Sequence, residues 1–317
     1  MTAEMQVAAA EIACCSDNRQ GRWPGLAVDV VRRRYLSPGV AFSLIPKKAS
    51  PMTPAAIPAP FAAALASADP SWQPVLCAGL EAMAAADPAY LPQLANSAYL
   101  PTGGRIFAAF ARPLPQVRYV LIGEGPYPRE QSAIGVCFMD GAVDSLWSER
   151  GLSKPVNRAT SLRNFMKMLL VAGGHADPLQ LSGEALAPIA RQAQAAGSGW
   201  IQTRAELQEN LLDNGFLLLN ATLVYRPEVA PLRDAKAWRP LLQAVLAALA
   251  EHARVNHAPP PTLVLWGKIA AELEALPISR AFPKEVSEHP YNLSFIAHPG
   301  MQRLFGAMHL LRRKSIP

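Results

Sequence analysis

Four cysteines in 317 residues is few, and they show no C-x-x-C pair and no spacing that would hold zinc or an iron–sulfur cluster. Cys14, Cys15, Cys77 and Cys137 are therefore expected to be reduced thiols of a cytoplasmic protein. The chain also lacks any run of about 18 apolar residues. Its most apolar stretches, such as Leu241–Leu249, are too short to cross a bilayer, and no membrane partner is expected. No charged segment followed by an apolar one marks an export signal near Met1. No internal repeat shows, and 30 prolines, roughly twice the ~5% average usage, argue against a coiled coil or an all-helical repeat.

What is present is apolar material: half of the residues are hydrophobic, enough for a large buried core and too many for a disordered chain. The net charge of +6 permits a polyanionic partner without requiring one. Residues 1–60 hold the basic run Arg32-Arg33-Arg34 and an Ala/Pro-rich stretch after Lys47-Lys48. Such composition favours extended, solvated backbone, so this segment is expected to be a tail or linker. The arginine run is then a solvated cluster or an auxiliary phosphate contact, and Met52 offers an alternative start. A single domain is expected over 61–317.

Within it, the apolar runs Val117–Ile122, Phe216–Leu219 and Leu263–Trp266, with a weaker one at Lys284–Glu288, have the length of strands. Helical patterns at Leu162–Val171, Arg204–Asp213, Ala237–His252 and Ile269–Leu276 alternate with them. That order predicts an α/β fold, with a central four-stranded parallel sheet flanked by helices on both faces. Ligands in such sheets gather at the carboxyl ends of the strands. There stand Gly123-Glu124-Gly125-Pro126-Tyr127-Pro128, then Asn220, Gly267, and His289-Pro290-Tyr291-Asn292-Leu293-Ser294. An amide, a carboxylate and an imidazole would share one edge.

These residues resemble the uracil-DNA glycosylases of the main, uracil-specific class. Gly123–Pro128 is similar to that family's G-Q-D-P-Y-H, and Gly135-Val136-Cys137-Phe138 follows in its register. Leu217–Leu223, Trp238, Val264–Gly267 and His289–Ser294 resemble its later motifs, in order and at its spacing. Tyr99–Thr102 and Ile106–Phe110 are similar to its segment ahead of the first strand, and the resemblance runs from about Ser71 to the C-terminus. It implies a metal-free, cofactor-free monomer that flips uracil out of single- or double-stranded DNA and hydrolyses its N-glycosidic bond. Phe138 would stack on the base, Asn220 would read its edge, and Tyr127 would exclude thymine, with Gly123 and Gly125 in the same loop. His289 would stabilise the leaving anion, Leu293 would fill the vacated stack, and Ser161, Ser294 and Pro290 would meet the DNA backbone. Asn220 and His289 are then expected to share one cavity sized for an everted pyrimidine.

The resemblance breaks at four points. Glu124 stands in place of the family's glutamine, Gly125 in place of its aspartate, Pro128 in place of its histidine, and Tyr291 in place of a phosphate-binding serine. Glu124 either takes over the aspartate's role or is a solvated loop acid. Asp140, on Phe138's face if that segment is extended, is a second candidate. A site lacking the carboxylate could bind uracil or abasic DNA with little or no turnover. His298-Pro299 competes with His289 but sits at the wrong spacing, and 139–160 and 172–203 are longer than the family pattern.

Overall fold

The computed structural model describes residues 57–314. The expected tail, with Cys14, Cys15, the Arg32–Arg34 run and Met52, lies outside the described residues except for its last four positions. A helix begins there, Ala59–Leu65, and buries Phe61 completely.

Four strands form the sheet: β1 (Tyr119–Gly123), β4 (Phe216–Asn220), β5 (Thr262–Trp266) and β6 (Lys284–Ser287). All pairs are parallel, in the order β4-β1-β5-β6. Each begins or ends within two residues of its apolar run. A separate two-stranded ribbon, β2 (Trp147–Ser148) with β3 (Gly151–Leu152), lies in the long segment after Met139. The main helices are α1 (Gln73–Ala86), α2 (Thr160–Ala172), α3 (Gly183–Gln194), α4 (Arg204–Asp213), α5 (Pro231–Val255) and α6 (Pro299–Gly306).

Strands β1, β4 and β5 are apolar on both sides because both sides are covered, whereas the edge strand β6, Lys284-Glu285-Val286-Ser287, is mostly polar and only partly buried. Trp266 and Phe216 face a cluster formed with Phe165 of α2, Phe295 and Phe305 of α6; the Phe165–Phe305 and Phe216–Phe305 centroids are 5.0 and 5.6 Å apart. Helices α1 and α5 pack on each other so closely that a Cβ on Gly79 would stand 3.0 Å from Leu241. β4 is an edge strand, yet every one of its residues is buried. The Cys137 N–H donates to Leu218 O on that edge at 3.1 Å, which occupies part of the ladder an edge would otherwise offer.

The strand order changes direction at β1: one neighbour, β4, follows on one side and the next strand, β5, crosses to the other. A crevice opens at the carboxyl end of such a switch. The loops after β1, β4, β5 and β6 all leave the sheet at this edge.

Candidate active site

β1 and β4 end in register, Gly123 beside Asn220. The pairing only works with glycine at 123, because a Cβ there would stand 2.9 Å from Asn220 Oδ1 and 2.9 Å from Cys137 Cβ. Asn220 itself is 3% exposed, and its Oδ1 is buried with no hydrogen-bond partner. An orphaned acceptor of this kind costs about 1–3 kcal/mol.

The segment Gly135–Met139 is pressed onto the end of β4. Gly135 has φ +88 and approaches the Arg105–Phe110 turn so closely that a Cβ would overlap Arg105 O; only glycine fits. The Cys137 N–H then donates to Leu218 O (3.1 Å), and Cys137 Sγ donates to Leu121 O (3.2 Å). Burial pushes the Cys137 thiol well above its ordinary range, which makes it an inert packing group. Phe138 follows with φ +66, a rare conformation for a residue with a side chain. Its ring meets Phe165 and Trp266 edge-on at 5.1 and 5.0 Å and stays partly exposed. The Tyr127 hydroxyl donates to Phe138 O at 2.9 Å, fixing the first loop to the ring's backbone. Burial, then the Asp140 charge, push the Tyr127 hydroxyl far up, so it remains a donor.

The positive φ at Phe138 overturns the extended segment that would have placed Asp140 on the ring's face. Asp140 is buried instead, accepting from the Ala142 N–H at 2.9 Å and from Arg129 at 3.2 Å. Its carboxylate is spent on holding the loop.

Beyond β5, Gly267 (φ +70) lets the chain turn under His289, whose Cβ would be 3.0 Å from a Cβ on Gly267. His289 is half-buried. Its Nδ1 accepts from the Tyr291 N–H at 3.2 Å, so the neutral ring carries its proton on Nε2. Burial lowers its pKa from the ordinary 6.5, while the Glu124 carboxylate acts to raise it. Glu124 is thus a charge that His289 feels, although its side chain is exposed. Leu293 is 69% exposed and Tyr291 61%, two large apolar side chains projecting at the same rim. Ser294 is exposed and its hydroxyl donates to Glu288, holding that carboxyl below its usual range. Ser161 lies half-buried in the first turn of α2, and Pro290 is buried. His298 accepts from the Met301 N–H and caps α6, a structural task.

A cavity of about 520 Å³ borders the same loop at Glu124 and Gly125 and is walled by Thr222, Arg226, Arg239 and Glu272. Asn220, Phe138 and His289 do not line it. At Gly125 there is room: the nearest atom to an added Cβ is Thr222 O, at 3.6 Å.

Sequence reasoning missed two supports. Asn164, wholly buried on α2, donates to the carbonyls of Pro290, Tyr291 and Asn292. Arg226 and Asp234 form a buried ion pair that Tyr90 completes, its hydroxyl donating to Asp234 Oδ1 at 2.7 Å. An asparagine three positions inside an amphipathic helix, on its apolar side, was the one signal available for the first.

No family model matches the chain. The uracil-DNA glycosylase of a Nocardioides species is 29% identical over 226 residues, 71% of this chain and 80% of that protein. The uracil-DNA glycosylase of Mycolicibacterium gilvum is 30% identical over 200 residues, 63% of this chain and 70% of that one. The crystal structure of the wild-type UNG from Nitratifractor salsuginis superposes with a TM-score of 0.70 and 38% identity, over 79% of this chain and 95% of that one. Sequence and fold agree with the loops at the strand ends: the chain belongs to the uracil-DNA glycosylase family.

Proposed function

We propose that this chain excises uracil from DNA by hydrolysing the N-glycosidic bond of deoxyuridine, leaving an abasic site. The observation that carries this reading is the unpartnered Asn220 Oδ1, buried under Gly123. The uracil N3–H would supply its missing donor, and the Asn220 amide N–H would reach a uracil carbonyl; cytosine presents the opposite pattern at both atoms. Phe138 would give up its free ring face to the base, and Tyr127 would close the side where thymine carries a methyl.

Breaking the bond leaves an oxocarbenium-like sugar and an anionic base. His289, neutral with its proton on Nε2, donates to the uracil oxygen on which that charge grows. Water attacks C1′ as the C1′–N1 bond breaks; the electron pair leaves with uracil, and Glu124 takes the water's proton and offsets the sugar's positive charge. The exposed Leu293 enters the stack where the nucleotide left. Ser161, Ser294 and the backbone at Pro290 lie against phosphates. All of these residues come from one chain, which supports action as a monomer, and the buried thiol of Cys137 suits a reducing cytoplasm. Among the described residues, no helix is long and apolar enough to cross a membrane.

The test is release of uracil from a single-uracil oligonucleotide, followed by alkaline cleavage of the abasic product. Asn220→Ala and His289→Ala should each slow product formation by about 10²–10³. Because Gly125 brings no carboxylate to the loop, a second outcome has a structural basis: uracil-dependent binding without product would make the protein a recognition module.

A further inference from the structure

His289 and Leu293 stand four residues apart on one short loop that begins at the edge of the sheet and ends at the exposed rim. Its own backbone makes one turn bond, from the Asn292 N–H to His289 O at 3.0 Å. The carbonyls of Pro290, Tyr291 and Asn292 have another partner. They converge on Asn164 Nδ2, at 2.7, 3.2 and 3.4 Å. Asn164 has no solvent exposure, and its Oδ1 accepts from Arg163 Nε at 3.3 Å. One buried amide therefore serves three successive carbonyls of the loop, the last of which also accepts from the Phe295 N–H at 3.3 Å.

We propose that Asn164 is a positioning residue that sets the orientation of His289 by clamping the 290–292 backbone from beneath, an inference that rests on the role given above to His289. The coupling is geometric. The ring's tautomer and tilt depend on the Tyr291 N–H that Nδ1 accepts, and Tyr291 is the middle of the three residues Asn164 holds. A buried carbonyl left without a donor costs about 1–3 kcal/mol, so without Asn164 the turn is driven outward toward water. The Tyr291 N–H would then move away from Nδ1, and Nε2 would lose its aim. Asn164 also shares the first turns of α2 with Ser161, so the proposed phosphate contact and the clamp belong to one rigid element.

The experiment uses the full chain and a single-stranded uracil oligonucleotide, where no duplex hole needs Leu293 and the effect on His289 stands alone. Asn164→Ala should lower kcat about 10- to 100-fold with KM little changed. In the His289→Ala background the same substitution should change kcat less than twofold, because its target is gone. Hydrogen exchange at the Tyr291 and Asn292 amides should rise at least tenfold while the amides of β1, β4 and β5 keep their protection. Equal losses in both backgrounds, or unchanged exchange at 291 and 292, would overturn the clamp. Should the alanine variant fail to fold, Asn164→Asp keeps the volume and, protonated by burial, one donor; it should show a smaller loss of the same kind. A wild-type protein that releases no uracil would overturn the catalytic reading, while the exchange measurement would still judge the clamp.

Discussion

At the residue scale, two glycines two positions apart carry opposite demands. Gly123→Ala would push a methyl to 2.9 Å from both the Asn220 amide and Cys137 Cβ, where the neighbours are a packed side chain and a strand end. Overpacking of this kind costs about 1–3 kcal/mol, and the displaced group is the proposed base reader. The expected result is a clear fall in thermal stability and a larger fall in uracil release. Gly125→Ala meets nothing nearer than 3.6 Å and should leave stability within about 0.5 kcal/mol of wild type. Thermal unfolding with parallel activity assays compares the two; equal effects would contradict the packing at β1. His289 gives a second prediction. Its neutral form is the working one, so kcat/KM should hold steady from neutral pH and fall only below 6.5, through the lowered pKa. Removing the Glu124 charge takes away the influence that raises that pKa. Glu124→Gln should therefore move the acid limb to lower pH at low ionic strength, and added salt should narrow the gap between the two profiles. A limb that stays in place would separate Glu124 from His289. The identities of these residues were readable from motifs; their states were not, since an orphaned oxygen or an accepted N–H exists only after folding.

At the element scale, the loop from Asn220 to α5 is held by a buried trio. Arg226 in the loop pairs with Asp234 in the first turn of α5, and Tyr90, from the short helix Tyr90–Ala95, donates to the same carboxylate. Burial, then the Asp234 hydrogen bond, push the Tyr90 hydroxyl far up, so it stays a donor. Asp234→Ala would strand a guanidinium that is 8% exposed and should cost about 3–5 kcal/mol, read from denaturant unfolding. A loss below 1 kcal/mol would mean the pair is no better than its hydrophobic replacement. The strands were legible because parallel strands covered on both faces are continuous apolar runs, and Arg204–Asp213 was legible to the residue, bounded by a Thr203–Glu206 capping box. The ribbon β2–β3, helix α3 and the turn at Phe138 were not. Two-residue strands carry no period, and the positive φ of Phe138 goes with long-range contacts, its ring on Phe165 and Trp266 and its carbonyl on the Tyr127 hydroxyl, rather than with any local preference.

At the scale of the whole molecule, the charge of +6 acquires a direction from the fold. Ser161 and the exposed Leu293 and Ser294 sit at the carboxyl edge of the sheet, and Arg158 and Arg163 flank the start of α2 there, beside Ser161. DNA lying across this edge would displace condensed counterions in proportion to the phosphates neutralised. With Arg158 and Arg163 as two such contacts, the logarithm of the apparent affinity should fall against the logarithm of salt concentration with a slope of about −1.4 for single strands and about −1.8 for duplex. Between 50 and 200 mM salt that is a loss of about sevenfold and about twelvefold respectively. The loss should appear in KM, while kcat, set by the bond-breaking step, should change little. Charge-neutral substitutions at Arg158 and Arg163 should each reduce the slope by about one and weaken binding alike for uracil-containing and normal DNA. A slope that ignored both arginines would move the DNA path off this edge, and with it the placement of Leu293 in the stack.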